Sequence, residues 1–165
     1  MKRIIFLLAV VFCSVCLTLP ANAGSTITYT KYGGCHLITK QGYSIFGGSW
    51  TEYGLAKQGR VILSPEYKMS FNEALRLFVF WRYRDPFGAS GYWCIALYSA
   101  DSGECLYSAL VDYEPMIHFT PDGSGKYTRA VLCSGGAQIL IGEFFRKNGK
   151  TYQRKKQIQD IDVAL

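Results

Sequence analysis

The sequence predicts an all-β domain, a β-sandwich or jelly roll of about eight strands with at most one short helix. Three observations carry that reading. The chain holds twelve Tyr, ten Phe and three Trp, residue types that suit a pleated, half-buried surface. Seventeen glycines supply tight turns. Stretches of period-two alternation recur at short intervals with no alternating helical segments between them.

The chain opens with a segment that is not part of this fold. Met1-Lys2-Arg3 is a short basic stretch, Ile4 to Leu19 is continuously apolar, and Pro20 to Ala23 places small residues at Ala21 and Ala23. This is the pattern of a cleaved secretory signal. The apolar run is somewhat short for a span of ~20 residues, so residues 1–23 are expected to leave. Residues 24–165 then form one domain with no stable membrane span, periplasmic or secreted.

The elements follow in order. Thr26 to Lys31 alternates Ile27 and Tyr29 with threonines and reads as a half-buried first strand. Gly47–Trp50 and Lys57–Arg60 read as turns around an ambiguous segment, with Val61–Pro65 a short strand. Ser70 followed by Glu73 is a capping box, which predicts up to two turns of helix through Arg76. From Leu77 the period becomes two: Leu77, Val79, Trp81 and Tyr83 alternate with Phe78, Phe80, Arg82 and Arg84. Arg84–Gly91 reads as a loop. Two strands around Ala100–Gly103 form a hairpin. If Ser99 faces Glu104, Tyr98 faces Cys105 and Cys94 faces Ala109. Met116–Phe119 and Lys126–Cys133 are further strands, and Asn148-Gly149 closes a last hairpin with the signal of a type I′ turn.

Cys13 and Cys16 leave with the signal. Cys35, Cys94, Cys105 and Cys133 remain, an even number in an exported chain, and are expected to form up to two disulfides. The hairpin register sets Cys94 and Cys105 two pairs apart, too far to bridge, which favours Cys35 with Cys133. Zinc is the rival, but there is no C-x-x-C and His36 abuts Cys35.

Catalytic patterns are weak. Asp101-Ser102-Gly103 has the order of a serine-peptidase motif, but Ser102 sits at a hairpin tip and only His36 and His118 could serve as its base. Asp101, Glu104, Asp112, Glu114 and Asp122 lie on turns and strand ends. They show neither the arrangement of a glycosidase pair nor the spacing of a calcium loop. No enzyme activity, cofactor or metal is expected. The net charge of +6 includes Lys2 and Arg3. The remaining excess is mild and favours anionic surfaces without implying nucleic acid. Its cations concentrate near the end: Arg146, Lys147, Lys150, Arg154, Lys155 and Lys156. They are either an aggregation-resistant edge or a patch for an anionic surface.

The stretch from Cys94 to Cys133 carries Leu97-Tyr98, Gly103, Leu106 with Ser108, Phe119-Thr120-Pro121 and Ser124-Gly125-Lys126-Tyr127. In these features it resembles the pre-peptidase C-terminal type of β-jelly roll. It is similar in particular to periplasmic inhibitors of g-type lysozyme, which share the Ser-Gly-x-Tyr step. The resemblance implies a loop at Ser124, Gly125, Lys126 and Tyr127 that enters the cleft of a lysozyme-like hydrolase. The expected function is therefore a secreted or periplasmic binding protein, an inhibitor of such an enzyme. The alternatives are a carbohydrate- or glycolipid-binding module that stacks sugars on exposed Trp or Tyr, or an immunity or accessory protein for a secreted toxin.

Overall fold

The computed structural model of the chain describes residues 24–44, 48–85, 91–155 and 159–160. The expected signal segment 1–23, Gly47, and residues 86–90 of the expected loop lie outside them. Among the described residues there are twelve strands and no helix. β1 (Ser25–Tyr32), β2 (Cys35–Ser44), β3 (Gly48–Lys57), β4 (Arg60–Asn72), β5 (Leu77–Arg84), β6 (Tyr92–Ser99) and β7 (Cys105–Val111) make one antiparallel sheet in chain order. β8 (Met116–Pro121), β9 (Thr128–Ser134), β10 (Ala137–Lys147) and β11 (Lys150–Lys155) make the second, with β12 (Gln159–Asp160) also paired to β10. The predicted β-sandwich is present, built as two meanders.

The second sheet packs on one face of β5–β7. Leu77, Val79, Ile95 and Leu97 meet Ala130, Leu132, Ile141 and Phe144 in a closed apolar core. The other face of β5 is buried as well. Phe78 and Phe80 pack with Cys35, Leu37 and Leu55 of β2 and β3, ringed by Tyr32, Tyr67, Phe71 and Tyr98. The first sheet therefore curls back along β4, so that β1–β4 cover the far side of β5. Irregular pairing between β3 and β4 permits the curl: Leu55 faces Leu63 while Tyr53 faces Tyr67, leaving extra residues in β4. Gly54 stands at this point, where a Cβ would lie 2.5 Å from the Leu63 carbonyl oxygen.

Three expectations need correction. Ser70 and Glu73 do not start a helix. β4 runs on to Asn72, whose Oδ1 accepts from the Leu75 amide at 3.0 Å, and Arg76 closes the turn at φ 54°. The local cap thus serves a four-residue hairpin loop, because the apolar alternation on both sides pairs into strands. β1 is not half-buried: Ile27 is 49 % and Tyr29 61 % exposed, since β1 is an edge strand that no layer covers. Gly48–Trp50 belongs to β3 rather than to a turn.

Two turns are as expected. Gln58-Gly59 and Asn148-Gly149 both take positive φ at each residue, the type I′ geometry that suits strand twist. In the β6–β7 hairpin Ser99 does face Glu104, its amide donating to the Glu104 carbonyl at 2.9 Å, and Tyr98 faces Cys105. A bulge between Leu97 and Tyr98 then moves the register by one, so Cys94 faces Leu110.

Candidate functional site

The turn joining β8 to β9 is built around Asp122. Its Oδ1 accepts from the Tyr127 amide at 3.2 Å and its Oδ2 accepts from the Ser124 hydroxyl at 2.7 Å. The Ser124 oxygen in turn accepts from the Lys126 amide at 3.3 Å. Backbone bonds from Asp122 to Tyr127 (2.8 Å) and from Gly125 to Asp122 (3.0 Å) close the loop, with Gly125 at φ 67°. The hydrogen bond from Ser124, with the Tyr127, Ser124 and Lys126 amides behind it, lowers the Asp122 carboxyl below its ordinary value. The hydroxyl of Ser124 is thus used inside its own turn. Lys126 is exposed.

Register places a second turn beside this one. β9 starts with Thr128 opposite Phe144, and β10 continues to Lys147 before turning at Asn148-Gly149. Both turns therefore project from the same end of the second sheet. Their side chains meet: the Tyr127 ring stands edge-on to Phe145 at 5.5 Å, Phe145 stacks on Tyr152 at 5.4 Å, and the Arg154 guanidinium lies 4.5 Å over Tyr127. A shallow cleft of about 380 Å³ opens against Phe145, Lys147, Asn148 and Tyr152. The Ser124–Tyr127 loop and the basic hairpin, which the sequence suggests separately, are one continuous surface.

Membership of that surface needs correction at Arg146. Arg146 faces inward: its Nη1 donates to Asp101 Oδ2 at 3.1 Å and to Thr151 Oγ1 at 3.3 Å, and its Nη2 donates to the Gly149 carbonyl at 2.6 Å. Lys156 lies outside the described residues, and so does the side chain of Lys155. Lys126, Lys147, Lys150 and Arg154 are exposed. Phe145 and Tyr152 were not read from the sequence as site residues. Counting outward from Asn148-Gly149 pairs them directly, so the signal was there.

The four cysteines are free thiols, against the expected disulfides. Cys35 is buried in the outer core with its Sγ 3.4 Å from the Ala100 carbonyl. Cys105 Sγ lies 3.4 Å from the Tyr107 carbonyl. Cys133 is on β9, opposite Met116, while Cys35 lies in the β2–β3–β5 core on the other side of the first sheet, so the favoured pair is separated by a layer. Burial pushes the Cys35 and Cys94 thiols up. Burial, with Cys105 alongside, pushes the Tyr98 phenol up to about 12.

The Asp-Ser-Gly sequence is occupied structurally. Asp101 holds Arg76 and Arg146, and Ser102 Oγ accepts from the Glu104 amide at 3.3 Å. Among the described residues no three His, Cys, Asp or Glu side chains converge as a metal would require, and no helix is long and apolar enough to cross a membrane. No family model, curated protein or solved structure matches the chain.

Proposed function

We propose that this is an envelope or extracellular binding protein that docks an acidic cleft of a partner protein, a lysozyme-like hydrolase being the leading candidate. The observation that carries the reading is the Arg154–Tyr127 contact, which joins the Ser124–Tyr127 loop and the β10–β11 hairpin into one basic, aromatic surface. Glycosidase clefts present paired carboxylates. Against these the loop offers Lys126 at its tip, with Lys147 and Lys150 on the neighbouring turn.

The loop's internal bonds support the same reading energetically. Asp122 and Ser124 fix its shape before any partner arrives, which reduces the ordering cost of binding. Ser124 acts by holding the loop, and Lys126 makes the contact. The experiment is inhibition of g-type, c-type and i-type lysozymes by the protein and by Lys126→Glu. Inhibition that falls at least tenfold in the variant supports the proposal. Absence of inhibition by the unaltered protein, or equal inhibition by Lys126→Glu, removes it.

A further inference from the structure

A second surface lies at the opposite end of the sandwich, away from both turns. Trp81 of β5 pairs with Lys68 of β4, and Trp93 of β6 pairs with Tyr83. Trp81 is on the face that the second sheet covers, but β8 only begins at Met116, so the cover is incomplete here. A groove of about 380 Å³ remains, with Ser70, Val79 and Trp81 on one side and Glu114 to Ile117 on the other. Its volume falls in the range of small-ligand clefts, roughly 300–1,000 Å³.

The rim is charged and balanced. Lys68 Nζ lies 3.4 Å from Glu114 Oε1 and 5.7 Å from the Trp93 ring centroid. Both side chains of the ion pair are more than half exposed, at 64 % and 58 %. An exposed pair of this kind contributes little to stability, so its groups can turn to a ligand at small cost. The groove and its rim therefore combine an indole, a hydroxyl, a carboxylate and an ammonium, the last two a balanced pair. An acyl chain would take water from the charged pair and offer it no hydrogen bond in return. A phosphate would meet Glu114 as well as Lys68. A pyranose ring fits the combination, because one face is C–H and packs on an aromatic ring while its edge carries hydroxyl donors and acceptors.

We propose that the Trp81–Glu114 groove binds a short neutral glycan, with one sugar ring on Trp81 and its hydroxyls shared between Glu114 and Lys68. The site is independent of the docking surface described above, and its test does not involve a protein partner. The full chain is titrated with the trimers of glucose in β-1,4 and α-1,4 linkage and of N-acetylglucosamine, and the three indole N–H signals are followed by NMR. Saturable movement of the Trp81 signal with at least one trimer is expected, together with a tenfold or greater loss of affinity in Glu114→Gln. Glu114 is exposed, and exposed substitutions shift stability little, so Glu114→Gln is expected to keep the fold and the comparison does not depend on altering Trp81. Absence of movement of the Trp81 signal with every trimer, including a response confined to Trp50, overturns the proposal, as does equal affinity of Glu114→Gln.

Discussion

Asp101 and Arg146 stand 45 residues apart in the chain, yet the arginine Nη1 lies 3.1 Å from the carboxylate Oδ2. The other oxygen of Asp101 is 3.4 Å from Arg76 Nε, and its backbone carbonyl accepts from the Gly34 amide at 2.8 Å. Thr151 adds a hydroxyl between Asp101 and the Leu75 carbonyl. One aspartate thus ties the β1–β2, β4–β5, β6–β7 and β10–β11 turns at one end of the molecule.

Replacing Asp101 by Ala should therefore destabilise the whole fold. Loss of one partner from a fully buried ion pair costs ~3–5 kcal/mol. Here the three side chains are 18–33 % exposed, so the expected cost is about 2 kcal/mol. Ser102→Ala, on the same turn, removes one weak exposed bond and should cost below ~1 kcal/mol. Urea denaturation of the two variants measures the difference, and equal midpoints would show the tie to be unimportant.

Thiol chemistry gives a second expectation. All four cysteines should be alkylated to completion in the unfolded protein without reductant, because none is bridged. In the folded protein Cys105, which is exposed, should react first and Cys35 last. Burial both hides Cys35 and raises its pKa, which lowers the thiolate fraction that reacts. Timed maleimide labelling with peptide mapping reads the order. A Cys35–Cys133 peptide in non-reducing maps would overturn the arrangement described here.

The outer core should matter as much as the sandwich core. Phe78 is fully buried, with the rings of Tyr32, Phe71 and Phe80 at 5.1, 4.7 and 5.7 Å. Phe78→Ala is expected to cost ~3–5 kcal/mol, comparable to truncating Phe144 in the other core. If Phe78→Ala unfolds β1–β4 alone, hydrogen exchange will show protection lost there and kept in β8–β11.

That outer core was the least legible part of the sequence. The alternation from Leu77 to Arg84 revealed a strand, and the two faces were both written in it, Leu77 and Val79 against Phe78 and Phe80. A strand apolar on both faces is buried on both, but what lies on the second face is a long-range matter. β2 and β3 were not distinguished, since Cys35–Ser44 mixes buried Leu37 and Ile38 with polar residues and its partner strand depends on the curl at Gly54. The turns were readable because their chemistry is local: Asn148-Gly149 fixes its hairpin with few residues. The capping box at Ser70 was local too, and tertiary pairing of β4 with β5 overrode it.

Asp122 gives a pH prediction. Its carboxyl titrates below the ordinary 3.8, chiefly because the ionised form accepts the Ser124 hydroxyl. A depressed folded-state value means that the bond stabilises the turn fully above 3.8 and is lost as pH falls through the lower, folded value. Amide shifts of Lys126 and Tyr127 should follow one titration with its midpoint below 3.8. In Ser124→Ala the midpoint should move up toward 3.8. A midpoint at or above 3.8 in the unaltered protein would show that the bond does not form in solution.

Tyr127 links the loop to the hairpin, so its replacement should separate stability from docking. The ring is half-buried, edge-on to Phe145 and beneath the Arg154 guanidinium. Tyr127→Ala removes both contacts and is expected to cost about 1–3 kcal/mol. Tyr127→Phe keeps the ring and both contacts and should be nearly neutral. Lys126→Glu touches neither contact and should leave the thermal midpoint unchanged, since exposed substitutions shift stability by ~0.5 kcal/mol or less. On a docking surface the order reverses: Lys126→Glu should weaken inhibition most, and the effect should shrink in high salt. Thermal melts and lysozyme inhibition on the same three variants read both orders. If all three variants lose inhibition only in proportion to lost stability, the Tyr127–Arg154 contact is a corner of the fold, and docking lies elsewhere.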